Sequence, residues 1–284
     1  MNFPDWERVI IQLEKYREKT GISPLVTVWG GEPLVSVMFD DIMTLLKDKS
    51  FKTEAITNGV MIDKHFEVLK KCADTLYVSL DGTREIHDAV RGKGVYDKVI
   101  ENIKKLEHKN ITVMSVITDR LIEVLPQLLS ELNTLNINKL FLQDMIGLTA
   151  EEVKAYKDWL KRDFGIDDSY IDSWETEDKI NFSNEIEKTL AKCDLSKLDF
   201  SVVHKKHIAD KETICLSPFT HPHIAWNGNV HYCTDFYGFS AGNIRSDSLE
   251  NIFYNDKSER FRRAVLNSAC PSCNHCSWRS YERI

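Results

Sequence analysis

Cysteine is concentrated near the C-terminus of this 284-residue chain, at spacings that could serve a metal site. Between two of these cysteines the sequence WNGNV contains Asn227-Gly228, a pair typical of a two-residue hairpin turn. Such a hairpin would bring its two arms together, and a later C-x-x-C-x-x-C run supplies further thiols. Four thiolates around one centre are what a 4Fe-4S cluster or a structural zinc ion requires, so the pattern predicts a metal site. The five candidate ligands are Cys215, Cys233, Cys270, Cys273 and Cys276.

The residue types alone leave the metal open between iron and zinc. A mixed cysteine and histidine zinc site is the rival interpretation. We favour four thiolates, because enough thiols are present and imidazole is uncommon on 4Fe-4S clusters. Core packing is what we expect instead for Cys72 and Cys193, since these two lie in helical surroundings without a partner at metal-ligand spacing. The histidines near the module are His204, His207, His221, His223, His231 and His275.

Helical and strand patterns alternate along the first half of the chain. The segment from Asp5 to Lys19 places its apolar residues on one helical face and is followed by Gly21, where a helix stop belongs. The strands are nearly continuous apolar runs, which are typical of a parallel sheet covered on both faces. We therefore predict an α/β fold with a parallel sheet or partial barrel. The predicted strands begin at Leu25, Glu54, Thr75, Ile111 and Lys139.

Polar residues and glycines follow the first three predicted strands, at the point where each strand ends. Because the carboxyl ends of parallel strands meet at one edge of a sheet, these residues should line a single rim. That rim is where α/β proteins bind their ligands. The residues are Gly30, Gly31, Glu32, Thr57, Asn58, Gly59, Ser79, Asp81 and Gly82.

Charge and hydropathy argue against two classes of partner. The net charge is −7 and the pI is about 5.8, without a basic run, so we expect no nucleic-acid binding. The longest apolar runs are too short to span a bilayer and no apolar signal segment opens the sequence, so we expect a cytoplasmic protein that binds no membrane. The odd number of cysteines fits a reducing compartment. We divide the chain into a core at 1–148, a helical connecting segment at 149–198 and a cysteine module at 199–284.

Several motifs together resemble the radical S-adenosylmethionine (SAM) superfamily, in particular members with a C-terminal SPASM or twitch domain. They are, in chain order, WGGEP at 29–33, TNG at 57–59, VSLDGTREIHDAVRG at 78–92, the set Cys215, Gly228 and Cys233, and GNI at 242–244. The resemblance covers nearly the whole chain. It implies a partial, TIM-like (β/α)6 barrel followed by a small α+β module.

The resemblance assigns the rim to SAM. Gly30, Gly31 and Glu32 would meet the amino group of its methionine moiety. A carboxylate beside glycine backbone suits an amino group, and Pro33 makes the turn rigid. The residues expected to face the carboxylate and ribose of SAM are Ser79, Asp81, Thr57 and Asn58.

Members of this family transfer one electron to SAM, and the resulting 5′-deoxyadenosyl radical abstracts a hydrogen atom from a substrate. The resemblance thus implies an oxidoreductase that acts on a peptide, a protein or a small metabolite. It also implies a reductant protein such as flavodoxin or ferredoxin as a partner.

The cysteine module would hold an auxiliary 4Fe-4S cluster by the same resemblance. Its downstream pair is Cys270 with Cys273, as in twitch-type relatives, and Cys276 is the alternate ligand. Some peptide-modifying relatives carry a catalytic carboxylate directly after the hairpin cysteine. Thr234 occupies that place here, and Asp235 follows as a candidate base, although an ideal strand would turn it to the other side. The four expected ligands are Cys215, Cys233, Cys270 and Cys273.

One family feature is absent from this sequence. Radical SAM enzymes bind the SAM-cleaving 4Fe-4S cluster with a C-x3-C-x2-C loop after their first strand, and no cysteine precedes Cys72 here. We therefore expect the chain to lack that strand and to be unable, alone, to cleave SAM. It would be a fragment of a longer product, which the intact rim motifs favour, or a natural homologue that binds without cleaving. The alternative function is a non-catalytic binding protein stabilised by an iron-sulfur cluster or zinc.

Overall fold

The computed structural model describes residues 1–177, 181–205, 215–233, 238–267 and 270–275. The chain divides into two compact units. The sheet unit comprises residues 6–143 and 182–205. The cysteine unit comprises residues 1–5, 144–181 and 206–284.

The sheet unit alternates helices with strands, as the sequence pattern predicts. In chain order the elements are α1 (Phe3–Thr20), β1 (Leu25–Val28), α2 (Phe39–Asp48), β2 (Lys52–Thr57), α3 (Phe66–Cys72), β3 (Thr75–Ser79), α4 (Arg84–Arg91), α5 (Val95–Leu106), β4 (Ile111–Ile117), α6 (Asp119–Leu132) and β5 (Lys139–Asp144). After α7 (Ala150–Phe164), which belongs to the cysteine unit, come α8 (Ser183–Leu190) and β6 (Ser201–Lys205). Among the described residues, every helix is too short or too polar to cross a bilayer.

The six strands form one sheet in the order β1-β2-β3-β4-β5-β6, so each strand lies beside its neighbours in sequence. The pairings of β1 with β2, β2 with β3, β3 with β4 and β5 with β6 are parallel. Sequential order with right-handed crossovers places the connecting helices on one face of such a sheet. This is the wall of a TIM-like barrel, which confirms the predicted α/β class.

Burial alternates along these strands, contrary to the prediction that both faces of the sheet are covered. In β2, Ala55 has no exposed surface, whereas its neighbours Glu54 and Ile56 are half-buried. In β3, Leu76 and Val78 are fully buried and the residues between them are not. The helices therefore cover one face, and half-buried side chains line the other. The prediction failed because an apolar run does not show on which face of the sheet each side chain lies.

The strand β6 differs from the predicted division of the chain. It pairs with β5, with Phe141 opposite Val203, so residues up to Lys205 lie in the sheet unit and not in a module that begins at 199. The connecting segment predicted at 149–198 is also divided, since α7 belongs to the cysteine unit and α8 to the sheet unit. A five-residue strand after a polar stretch has too little periodicity to be assigned from sequence.

The cysteine unit contains a small antiparallel sheet in the order β7-β8-β9. Its strands β7 and β8 form the predicted hairpin, with His223 opposite His231. Gly228 in the turn has a φ of +87°, a conformation that favours glycine. The elements are α9 (Ser217–Thr220), β7 (His223–Ile224), β8 (Asn229–His231), β9 (Gly242–Asn243), α10 (Leu249–Tyr254), α11 (Asp256–Leu266) and a 3-10 turn at Pro271–His275.

Candidate functional site

The structure places the predicted rim residues at the carboxyl ends of β1, β2 and β3. Thr57, the last residue of β2, pairs with Val78 of β3, and Ser79, the last residue of β3, pairs with Met114 of β4. Because these pairings are parallel, the three strands end at the same edge of the sheet. The predicted rim is therefore formed.

Glu32 joins the loop after β1 to the end of β2. Its Oε1 accepts hydrogen bonds from the backbone N–H of Leu34 at 3.0 Å and from the hydroxyl of Thr57 at 2.7 Å. Its Oε2 accepts one from the backbone N–H of Asn58 at 2.6 Å. The carboxylate thus uses much of its acceptor capacity within the protein, and only its remaining lone pairs are available to a ligand.

Gly30 and Gly31 adopt positive φ angles of +100° and +59°. A Cβ built on either residue meets no other atom within 4 Å. Backbone conformation, not crowding, therefore requires these glycines. The space beside their backbone is open for a ligand to approach closely.

The turn after β2 is fixed by side-chain hydrogen bonds. Thr57 Oγ1 accepts from the backbone N–H of Gly59 at 3.0 Å, and Asn58 Oδ1 accepts from that of Val60 at 2.9 Å. The buried Asn102 of α5 donates from Nδ2 to the carbonyl of Gly59 at 2.8 Å. Sequence reasoning did not identify Asn102, because an amide side chain on an amphipathic helix gives no sign of so distant a partner.

Gly59 is a rim position where both the backbone and its surroundings exclude a side chain. Its φ is +82°, and a Cβ there would lie 2.9 Å from Cγ1 of Val78 and 3.0 Å from Cγ1 of Val99. We expect Gly59→Ala to lower the free energy of unfolding by about 2 to 4 kcal/mol, because overpacking adds to backbone strain. Gly30→Ala, which is strained but uncrowded, should lower it by only about 1 to 2 kcal/mol. Urea unfolding measures both changes, and equal losses would contradict the packing argument.

Asp81, which follows the end of β3, is held at three atoms. Its Oδ2 accepts a hydrogen bond from Nε of Arg91 at 2.6 Å, and its Oδ1 accepts one from the backbone N–H of Val116 at 3.3 Å. Its own backbone N–H donates to Nδ1 of His87 at 3.1 Å. Asp81 is 7% exposed, so its carboxylate is an oriented and nearly buried anion. Sequence reasoning missed His87 and Arg91, although their spacing of four residues places them on one face of α4.

A hydrogen bond joins the two segments that carry the first two predicted metal ligands. Ser217, two residues after Cys215, donates from Oγ to the carbonyl of Tyr232 at 3.0 Å. Tyr232 directly precedes Cys233. The half-buried residues Cys215 and Cys233 therefore lie on segments that are bonded to each other.

Cys270 and Cys273 meet at the 3-10 turn near the end of the described chain. The backbone N–H of Cys273 donates to the carbonyl of Cys270 at 3.2 Å. The pKa of Cys270 is lowered from its usual range, chiefly because the Cys273 thiol and then Ser272 donate hydrogen bonds to its sulfur, although burial opposes the change. A buried sulfur that favours the thiolate is suited to metal ligation.

Tyr156 of α7 indicates where a third sulfur lies. Tyr156 is 1% exposed, and α7 packs against the turn that carries Cys270. Its pKa is raised well above the usual value, first by burial and then by the electrostatic influence of Cys270, Cys233, Asp168 and Cys273. Three of the four predicted ligands therefore lie near one buried phenol.

This donor set suits an iron-sulfur cluster in chemical type, since such clusters are held by thiolates. Within the part of the chain that the structure describes, no three His, Cys, Asp or Glu side chains form a group that could hold a metal ion. The described residues thus provide the Cys270 and Cys273 pair with Cys233 in its neighbourhood, and not a closed site. Three further residues with predicted roles lie outside the described part of the chain: Cys276, Asp235 and His207.

The two remaining cysteines and two histidines of the cysteine unit pack against other parts of the protein. Cys72 is buried in the core of the sheet unit and Cys193 packs against it, which confirms their predicted packing role. In the cysteine unit, His231 donates from Nδ1 to the carbonyl of Phe239 at 2.8 Å and so joins β8 to Phe239. Burial is the main cause that lowers the pKa of His223 to about 4, so this ring is neutral at physiological pH.

Comparison with known proteins identifies two regions of the chain. Residues 1–122 match the family model of the radical SAM superfamily. Residues 215–277 match that of SPASM, an iron-sulfur cluster-binding domain. The first region contains the rim motifs, and the second contains the five cysteines predicted to bind a metal. The cofactors that they imply are SAM and 4Fe-4S clusters.

Two similar proteins are named for different activities. The chain is 27% identical over 278 residues to the tungsten-containing aldehyde ferredoxin oxidoreductase cofactor-modifying protein of Pyrococcus furiosus, covering 88% of this chain and 72% of that one. It is 30% identical over 154 residues to the mycofactocin maturase MftC of Mycolicibacterium smegmatis, covering 48% of this chain and 39% of MftC.

The fold is shared with solved structures of SuiB from Streptococcus suis. SuiB bound to SAM superposes with a TM-score of 0.71 at 16% identity, and SuiB bound to the precursor peptide SuiA with a TM-score of 0.65 at 17% identity. Each comparison covers 96% of this chain and 64% of SuiB, so this chain spans less than two thirds of that protein. With both regions matched in order, the chain belongs to the radical SAM superfamily and carries a C-terminal SPASM domain.

Proposed function

We propose that this protein is a radical SAM oxidoreductase with an auxiliary 4Fe-4S cluster in its SPASM domain. The observation that carries the proposal is the pair of Cys270 and Cys273, which a backbone hydrogen bond of 3.2 Å joins, with Cys233 acting on the same buried Tyr156. These three cysteines lie within the region matched to an iron-sulfur cluster-binding domain. The proposed ligands are Cys215, Cys233, Cys270 and Cys273, with Cys276 as the alternate.

The rim of the sheet unit would bind and orient SAM. Gly30 and Gly31 leave their backbone accessible, and the remaining lone pairs of Glu32 suit the amino group of the methionine moiety. A SAM-cleaving 4Fe-4S cluster, whose three cysteines these residues lack, would supply with SAM the one-electron chemistry that removes a hydrogen atom from a substrate. The chain's own contribution is to fix SAM in a single orientation. The residues proposed to face its carboxylate and ribose are Thr57, Asn58, Ser79 and Asp81.

A peptide is the substrate class that the relatives favour. SuiB is solved with a precursor peptide, and MftC is named a maturase. A protein or a small metabolite is the alternative, because another relative is named for modifying a cofactor. The half-buried face of the sheet, which carries Ile56, Tyr77 and Met114, is the surface on which we place the substrate. Electrons would come from a flavodoxin or ferredoxin type of protein.

A non-catalytic protein that binds SAM or a metal cluster is the second candidate. It is favoured by the absence of any cysteine before Cys72 in these 284 residues, because radical SAM enzymes cleave SAM at a cluster held by three cysteines. We therefore expect this 284-residue chain, tested alone, not to cleave SAM under dithionite. Release of 5′-deoxyadenosine would contradict this expectation and favour the first candidate.

Anaerobic reconstitution with iron and sulfide tests the auxiliary site. We expect about four irons per chain and a broad visible absorption, because four thiolates suffice for one 4Fe-4S cluster. Calorimetric titration of the same sample with SAM tests the rim independently of SAM cleavage. A protein that takes up zinc but no iron, and stays colourless, would contradict the proposal.

A further inference from the structure

Helix α4 packs against the loop that follows β3. Ile86 fills the space beside Gly82, since a Cβ built on Gly82 would lie 2.9 Å from Cγ2 of Ile86. Arg91 donates to the carboxylate of Asp81, and His87 accepts the backbone N–H of Asp81. His87 and Arg91 are four residues apart and so lie on the same face of the helix. This face therefore holds Asp81 at both its side chain and its backbone.

The hydrogen bond from Asp81 defines the protonation state of His87. Nδ1 accepts the backbone N–H, so the neutral ring carries its proton on Nε2. His87 has no exposed surface, and its Nε2 has no hydrogen-bond partner among the described residues. The ring of Tyr96 packs at its edge, with centroids 6.2 Å apart. Burial lowers the pKa of His87 below its usual 6.5, with Asp81 and Asp88 opposing this effect and Arg91 adding to it.

The buried Nε2–H makes His87 a costly choice for packing alone. An unpaired buried donor destabilises the folded state, and an apolar side chain of similar size would avoid that loss. The same apolar side chain would leave the backbone N–H of Asp81 without its acceptor. The acceptor at Nδ1 is therefore what distinguishes this imidazole from a packing residue.

We propose that His87 is a positioning residue for SAM, which acts through Asp81 by fixing its backbone with a neutral Nδ1 acceptor. The backbone then sets the direction of the carboxylate that Arg91 and Val116 also hold. This inference rests on the proposed function, in which Asp81 faces SAM. It also makes SAM binding sensitive to acid, because a proton on Nδ1 would oppose the N–H of Asp81.

The pH dependence has a definite sign. Since the pKa of His87 in the folded state lies below 6.5, the unfolded chain binds more protons than the folded chain as the pH falls below 6.5. The contribution of His87 to stability is therefore complete above pH 6.5 and is lost as the pH falls toward its folded-state pKa. SAM binds only the folded state, so its affinity should stay constant until the pH approaches the folded-state pKa of His87 and should decrease below it.

Calorimetric titration with SAM across this pH range tests the proposal. His87→Leu lacks the acceptor, and we expect its SAM affinity at neutral pH to be about five- to tenfold weaker than wild type, as for the loss of one hydrogen bond. His87→Asn retains an acceptor oxygen near the position of Nδ1 but does not titrate. It should bind SAM within about twofold of wild type and lose the decline in acid.

His108→Leu is the matched control for these variants. Like His87, His108 is a buried ring whose Nδ1 accepts a backbone N–H, in this case from Asn110 at 3.0 Å. It precedes β4 and so lies at the amino ends of the strands, opposite the rim. Its replacement should lower stability, as His87→Leu does, and leave SAM affinity unchanged.

Hydrogen exchange at the amide of Asp81 provides a readout that does not involve SAM. The amide should be protected in wild type and in His87→Asn, and should exchange faster in His87→Leu. Unchanged SAM affinity in His87→Leu overturns the inference, regardless of the exchange rate of the Asp81 amide. Wild-type protein that binds no SAM at any pH overturns the proposed function and this inference with it, so the wild-type titration tells the two failures apart.

Discussion

A Cys233→Ala variant is expected to lose its iron and to unfold the cysteine unit while the sheet unit stays folded. Cys233 is one of the cysteines that act on the buried Tyr156, and its removal takes a ligand from the proposed cluster. Thiolate metal sites contribute about 10 to 16 kcal/mol to the folding of small zinc domains. We expect the cysteine unit to depend on such a contribution, because its sheet has only two- and three-residue strands. Iron analysis with hydrogen exchange measures both effects, and protection should be lost across 215–275 but kept in β1 to β6.

Cys193→Ala is the matched control for the loss of a thiol. Its sulfur donates to the carbonyl of Thr189 at 3.3 Å and packs against the core of the sheet unit. We expect this variant to retain about four irons and to lose only about 1 kcal/mol of stability. Iron retention in Cys233→Ala, or an equal loss of protection in both units, would contradict the account of two separate units.

The parallel sheet could be predicted because its strands are apolar runs between helical patterns. Five of its six strands were recognised in this way, and the glycines and polar residues after β1 to β3 indicated their carboxyl ends. The strand β6 could not be recognised, because Ser201–Lys205 is short and pairs with a strand from much earlier in the chain. The half-buried face of the sheet was also missed, since it follows from the order of the strands and the side on which their connections run.

Motifs identified the residues of the rim but not the hydrogen bonds that hold them. Glu32 was expected to face a ligand, and the structure adds three protein donors to its carboxylate. Asn102 and His87 lie on helices whose sequences resemble ordinary amphipathic patterns. Their partners, Gly59 and Asp81, become visible only when the chain is folded. Residue types therefore indicate which groups are available for chemistry, and tertiary contacts determine how firmly each group is held.

Arg262→Met is expected to destabilise the cysteine unit by about 3 to 6 kcal/mol, since two hydrogen bonds from a charged donor are each worth about 1.5 to 3 kcal/mol. Arg262 is 9% exposed in α11. Its Nε donates to the carbonyl of Pro218 at 2.9 Å, and its Nη2 donates to that of Phe253 at 2.5 Å. The guanidinium also lies 3.9 Å from the centre of the Phe253 ring. Methionine would fill part of the space but leave both carbonyls without this donor.

The neighbouring Arg263 provides the control, because its side chain is 72% exposed and pairs with Glu259 on the same helix. Arg263→Met should change the free energy of unfolding by no more than about 0.5 kcal/mol. Urea unfolding followed by a probe in the cysteine unit compares the two variants, and similar losses would show that Arg262 does not hold this unit together.

Pro218 lies three residues after Cys215, so Arg262→Met should also release iron faster to a chelator. That effect links the buried guanidinium to the proposed cluster, because a variant that merely weakened packing far from the ligands would keep its iron.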